Sequence, residues 1–162
     1  MDYTSHYASP LGGITLASDG ENLTGLWFDG QKHFAGTLDA EHREASLAVF
    51  DQAARWLDVY FSGHAPDFTP PLRPKTTAFR RTVWETLPTI PYGHTATYGE
   101  IAARMGLPVA SARAVGGAVG HNAISIIIPC HRVVGANGRL TGYAGGIERK
   151  RALLELEKVN FN

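Results

Sequence analysis

The chain has 162 residues, 44% of them hydrophobic, enough for one well-filled core or two small domains sharing an interface. Formal net charge is zero and the pI is near 7.1, so whole-chain charge nominates no partner, and no stretch approaches the ~18 apolar residues of a membrane span. One cysteine excludes an intrachain disulfide and a multi-cysteine zinc site. The opening Met1–His6 lacks the basic-then-apolar pattern of a secretory signal, so the expectation is a soluble cytoplasmic protein in a reducing compartment. The charge is unevenly spread. Residues 1–76 hold five Lys/Arg and ten Asp/Glu, a net of −5, whereas residues 77–162 hold ten and five, a net of +5. That asymmetry is what a DNA-binding half joined to a non-binding half would show, with ordinary scatter of surface charge as the alternative.

From Tyr3 to Phe28 the signals are those of strands: Ile14 and Leu16 alternate, Asp19-Gly20 makes a turn, and Leu23, Leu26, Trp27 and Phe28 form a third apolar segment. The expectation is a three-stranded antiparallel meander, then a polar loop over Gln31–His42. Glu44–Phe61 follows helical spacing, with Val49, Ala53, Trp56 and Tyr60 on one stripe and Gly63 where a C-cap belongs. This half carries no evident chemistry and is expected to support the back of the other. Pro66, Pro70, Pro71 and Pro74 mark the boundary, giving domains 1–76 and 77–162.

Beyond it, Thr77 caps a helix expected over Ala78–Leu87, with Phe79, Val83 and Leu87 inward and Pro88 closing it. Thr97-Tyr98-Gly99-Glu100 fits a capping box, and its helix ends at Met105-Gly106. After Leu107-Pro108 a second helix runs from about Val109 to Val119. Two short helices about a Gly/Pro turn make a helix-turn-helix, usually a nucleic-acid element. The second helix is nearly bare, with Arg113 its one long side chain among alanines and glycines. A helix reading base edges in the major groove would carry several Arg, Asn or Gln. The expectation is therefore sequence-independent binding, from the narrower minor groove. A last helix is expected over Ile147–Lys158, with Glu157 on the same face as Ile147 and Leu154. A carboxylate on an apolar stripe needs a partner, either a surface cation or a buried imidazole.

Between these helices lies Ile126-Ile127-Ile128-Pro129-Cys130-His131-Arg132-Val133-Val134. Pro129 fixes its own φ and pushes Ile128 toward an extended conformation, so the backbone presenting Cys130 is stiff and set at the edge of a core. The nucleophilic form of cysteine is the thiolate, and burial alone disfavours it. His131 is the nearest group able to hold the charge. A lone cysteine is more often a small buried hydrophobe than a nucleophile, so its context has to decide.

Four stretches in register with one another resemble the O6-alkylguanine-DNA alkyltransferases, the methylated-DNA–protein-cysteine methyltransferases. They are Ala112-Arg113-Ala114-Val115-Gly116-Gly117-Ala118, Asn122, Pro129-Cys130-His131-Arg132-Val133-Val134 and Thr141-Gly142-Tyr143-Ala144-Gly145-Gly146. The likeness covers residues 77–158 in specific motifs and the N-terminal half in general layout, and it is nearest the bacterial Ogt-type members. It implies an α+β (mixed α/β) fold, with an RNase H-like N-terminal sheet and helix and a winged-helix-like C-terminal domain. It further implies single-turnover repair of O6-alkylguanine, and of O4-alkylthymine, in duplex DNA after base flipping. Cys130 is then the alkyl acceptor, His131 its base through a water, Glu157 the residue that orients and charges the imidazole, and Asn122 a brace between helix and active site. Arg113 replaces the flipped nucleotide in the stack. Tyr98 and the carbonyls of Cys130 and Val133 hold the base, Ser111 belongs to the DNA contact, and Tyr143, Ala144 and Gly145 line the pocket. No cofactor and no metal are implied, and the partner is double-stranded DNA bearing alkylated bases, met by a monomer with cooperation along the duplex left open. Two departures from the family pattern stand out: the Gly106–Ser111 turn is one residue longer, and Ala123 replaces a proline common after the asparagine. Two other readings stay open here, a Cys-His hydrolase and a helix-turn-helix DNA-binding protein with an inert cysteine.

Overall fold

Three short apolar segments separated by glycine-containing turns form consecutive strands. In the computed structural model, which describes residues 1–159, they are β1 (Asp2–Ser9), β2 (Gly12–Ser18) and β3 (Leu23–Phe28), antiparallel in sequence order. The expected C-terminal half therefore ends in three residues, 160–162, that lie outside the described residues. Between β2 and β3 the Asp19 carboxylate accepts from the N–H groups of Glu21 and Asn22, and Gly20 takes φ +113°, open to glycine at no steric cost. The sheet has one strand more than the meander expected. His42–Glu44 forms β4, parallel to β1, giving the order β3-β2-β1-β4. The unpaired edge of β1 recruits this exposed segment, which has no apolar pattern to announce it.

Consequently the first helix, α1, begins at Ala48 rather than Glu44 and runs to Phe61, burying Val49, Phe50, Ala53, Trp56, Leu57 and Tyr60. Gly63 follows at φ +90° and donates back to the Tyr60 carbonyl.

In the C-terminal half, α2 (Ala78–Thr86) is capped by the Thr77 hydroxyl and passes into a 3₁₀ turn over Leu87–Thr89. The inward residues are Val83, Trp84 and Leu87, while Phe79 is 40% exposed, so the expected stripe is rotated. Trp84 decides the rotation, because it brings the larger apolar area and its indole N–H finds the Ala118 carbonyl at 2.8 Å. The Thr97/Glu100 capping box opens α3 (Tyr98–Arg104), as expected. The expected helix over 109–119 divides into a 3₁₀ turn, Val109–Ser111, and α4, Ala112–Gly120. Short strands β5 (Ala96–Thr97) and β6 (Val133–Val134) pair in parallel, tying the start of α3 to the segment just after Cys130. The last helix, α5, covers Ile147–Leu156 and buries Lys150, Leu153 and Leu154. Ile147 is 42% exposed and shares no buried face with Leu154, since the first turn of α5 lies at the surface.

The two halves meet along β3. Leu26 N–H donates to the Ala123 carbonyl and Ser125 N–H to the Leu26 carbonyl, while Leu23 exchanges the same pair of bonds with Pro71 and Arg73. The edge of the N-terminal sheet is thus covered by the chain that leads to Cys130, which fixes that segment before any side chain is considered.

Candidate active site and nucleic-acid face

Asn122 closes the turn out of α4: its amide donates to the carbonyls of Ile124 (3.2 Å) and Ile128 (2.8 Å), and its oxygen accepts from Ile124 N–H at 3.0 Å. The isoleucines that follow are buried, yet they form a turn, with Ile126 at φ +70°. Left-handed φ in a β-branched residue is strained, and it persists where the surroundings over-determine it. At Pro129 (φ −81°, ψ 64°) the Cys130 N–H returns to the Ile128 carbonyl at 2.8 Å, an inverse γ-turn. Cys130 then opens a 3₁₀ turn, Cys130–Arg132, in which all three residues are buried.

His131 is fully buried. Its Nε2–H donates to Glu157 Oε2 at 2.6 Å, which leaves Nδ1 as the lone-pair nitrogen, buried with no hydrogen-bond partner among the described residues. Glu157 lies one residue past the end of α5. It also accepts from the Tyr60 hydroxyl (2.7 Å), Arg132 Nε (2.9 Å) and Gly93 N–H (3.0 Å). The sequence alternatives for Glu157 were a surface cation or a buried imidazole. It has the imidazole, and a buried guanidinium as well.

The electrostatics follow from this packing. Burial raises the Glu157 pKa, but hydrogen bonds and charge from His131 and Arg132 outweigh it and hold the carboxyl at about 2. Burial lowers His131 against the pull of Glu157, so Glu157 orients the imidazole without charging it at rest, contrary to the expectation from the resemblance. Burial pushes the Cys130 thiol up, offset in part by the Asn122 amide and the Lys150 charge. Lys150 is itself buried and drawn down to about 8 by desolvation, and its Nζ donates to the Val133 carbonyl at 2.6 Å. The Tyr143 hydroxyl lies against Cys130 and Ser125 without reaching hydrogen-bond geometry, and burial raises its pKa.

The remaining predicted positions fall into two groups. Tyr98 opens α3, shares a 2.9 Å hydrogen bond with Thr141, and its ring faces Gly116, where an added β-carbon would make ordinary contact at 3.6 Å. Of the other positions, Tyr143 lies against Cys130, Val133 offers its carbonyl to Lys150, and the carbonyls of Ala144 and Gly145 accept from Lys32 N–H and Arg149. Arg113, by contrast, is on the exposed face of α4 beside Ala114 and Gly117, with no hydrogen-bond or ion-pair partner among the described residues. Ser111 is half-buried at the start of α4 and caps nothing. Sequence reasoning passed over Tyr60, Arg132 and Lys150. Each left a signal: a tyrosine on a buried stripe needs a partner for its hydroxyl, Arg132 sits inside the quoted motif, and Lys150 is two helical turns before Glu157.

Residues 78–159 match the family described as 6-O-methylguanine DNA methyltransferase, DNA binding domain, and residues 3–74 match its ribonuclease-like domain. A methylated-DNA–protein-cysteine methyltransferase of Mycobacterium bovis is 51% identical over 150 residues, 93% of this chain and 88% of the relative. One of Haemophilus influenzae is 44% identical over 160 residues, 98% of this chain and 88% of the relative. The crystal structure of Mycobacterium tuberculosis OGT in complex with DNA superimposes with a TM-score of 0.86 at 48% identity, covering 96% of this chain and 92% of that one. On these grounds the chain belongs to the methylated-DNA–protein-cysteine methyltransferase family.

Proposed function

We propose that this protein repairs DNA by direct reversal, moving the alkyl group of O6-alkylguanine, and of O4-alkylthymine, from duplex DNA onto Cys130. One observation carries the reading: the only cysteine is buried in contact with Asn122 and Tyr143, next in sequence to an imidazole that is tied to a buried carboxylate. A base must leave the duplex before a side chain in such a site can touch it, at a cost of a few kcal/mol that is smaller for a poorly paired lesion. Arg113, alone on a bare helix, enters the stack in its place from the minor-groove side, with Ser111 beside it. Tyr98 donates to the extruded base, and the carbonyls of Cys130 and Val133 receive its amino group. Tyr143, Ala144 and Gly145 form the pocket wall.

With thiol and imidazole both neutral at rest, the proton leaves the sulfur at the moment of reaction. It passes through a water to Nδ1 of His131, and Glu157 stabilises the imidazolium that results. The sulfur displaces the base in line at the alkyl carbon, the carbon–oxygen electron pair returns to the base as a guanine anion, and that anion takes up a proton from water to restore guanine while the imidazolium releases its own. The thioether is not readily hydrolysed, so each molecule acts once. The lesion is the alkyl donor, and neither a cofactor nor a metal takes part. Asn122 braces the turn from α4 to the active site. Residues 1–76 act as the scaffold and 77–162 as the DNA-binding and acceptor domain of a cytoplasmic monomer.

The test is to incubate the protein with a duplex carrying O6-methylguanine and weigh it. A gain of one methyl on Cys130, saturating at one equivalent, is the expected result. Tight lesion binding with no adduct would favour a DNA-binding protein with an inert cysteine, and repeated ester cleavage a hydrolase.

A further inference from the structure

The segment Tyr143–Gly146 turns back on itself, Gly146 N–H bonding to the Tyr143 carbonyl at 2.9 Å, and carries the phenol that rests against Cys130. It is held by one donor from the N-terminal half and by an arginine of its own half that is anchored there. Lys32 N–H donates to the Ala144 carbonyl at 3.0 Å. Arg149, in the first turn of α5, donates from Nη1 to the Gly145 carbonyl (3.3 Å) and from Nε to the Leu11 carbonyl (3.0 Å) in the β1–β2 turn. Its guanidinium lies 4.6 Å over the Phe28 ring. Gly12, at φ +114°, leaves room for it, since a side-chain carbon there would stand 3.0 Å from Nη2.

Gly145 is hemmed in likewise. An added carbon would meet the Tyr143 ring at 2.6 Å and the Phe28 ring at 3.2 Å. Beside this clasp opens a cleft of about 650 Å³, lined by Leu11, Gly145, Glu148 and Arg149. The segment has space to move outward, and Arg149 bridges it to the N-terminal hairpin across the side of that space.

We propose that Arg149 is a specificity-determining positioning residue, strapping the Tyr143–Gly146 wall to the N-terminal sheet and so setting the largest alkyl group that fits beside Cys130. The planar fork suits the task, because one guanidinium bonds two carbonyls on different segments and stacks on a ring at once. With the strap released the wall relaxes toward the cleft. A bulky group then gains access, while a methyl group loses only the close fit.

This inference rests on the alkyl-transfer reading. Its test mixes wild type, Arg149→Ala, Arg149→Lys and Gly145→Ala with duplexes carrying O6-methylguanine or O6-benzylguanine, and follows the adduct by intact mass. Because each molecule reacts once, the amplitude counts folded protein and the rate reports the pocket. Arg149→Ala should raise the benzyl-to-methyl rate ratio roughly tenfold, the equivalent of one charge-assisted hydrogen bond. Arg149→Lys, which keeps the charge but has no fork, should raise it less. Gly145→Ala, which displaces the wall with Arg149 intact, should raise it as well. If Arg149→Ala does not fold, the other two variants decide. A ratio within about twofold of wild type in the folded variants, or an equal fall of both rates, overturns the strap. A wild-type protein that gains no alkyl group on Cys130 defeats the transfer reading itself; transfer with an unchanged ratio defeats only the role of Arg149.

Discussion

The Glu157 carboxylate gathers donors from both halves: His131 and Arg132 from the Cys130 turn, Gly93 from the loop before α3, and Tyr60 from α1. Among the side chains, Tyr60 is the donor that composition and motif did not nominate. Its hydroxyl and the His131 Nε2–H converge on the same oxygen, Oε2, and lie 3.4 Å apart. Tyr60→Phe removes one donor and strands no charge, so its cost should be about 1 kcal/mol of stability. A carboxylate with fewer donors is more basic and holds an imidazolium more strongly, which raises the His131 pKa. The acid limb of the alkylation rate should therefore move to higher pH. A rate profile that superimposes on wild type would leave Tyr60 as packing only.

The small residues of α4 serve two purposes on two faces. Gly116 faces the Tyr98 ring, and Ala118 offers its carbonyl to Trp84. On the other face, Ala114 and Gly117 leave Arg113 standing alone. Tight helix packing accounts for the first face and not for the second. A low surface with one long cation suits close approach to a groove, without the set of amides and guanidinia that reads base edges. Arg113→Ala should accordingly slow transfer from duplex DNA much more than transfer from the free alkylated base, compared by single-turnover kinetics. Equal slowing of both would remove the intercalating role. The cause of the misplaced Phe79 in α2 is of the same kind: periodicity gave a stripe, but the indole of Trp84 had both more area to bury and a donor to satisfy.

Across the whole molecule, the sheet edge at β3 and the buried ion cluster join the two halves, and the cluster makes stability depend on acid. Between 4.5, the ordinary carboxyl value, and about 2, an unfolded chain takes up a proton that folded Glu157 refuses, so stability present above 4.5 is lost as pH falls toward 2. His131, held below 6.5, works in the same direction, and the decline should begin as pH falls through 6.5. Urea midpoints measured from pH 7 to 3 should drop progressively. Glu157→Gln should start about 3–5 kcal/mol lower, because it strands the buried Arg132 charge, and should fall less steeply below pH 4.5, where Asp19 and Asp39 still take up protons on unfolding. A midpoint constant over that range would contradict the cluster's charge state. Much of this protein was legible in one dimension: the hairpins from turn residues, the capping box from Thr97 and Glu100, the helix-turn-helix from spacing, and the Pro-Cys-His segment from its motif, all local signals carried within a few residues. The fourth strand, the start of α1, the rotation of α2, the left-handed Ile126, the meeting of Tyr60 and Lys150 with the Cys130 segment, and the reach of Arg149 to Leu11 were decided only by tertiary packing. Each depends on which edge, face or carbonyl a distant segment happens to offer, and no periodicity within a segment records what its neighbour lacks.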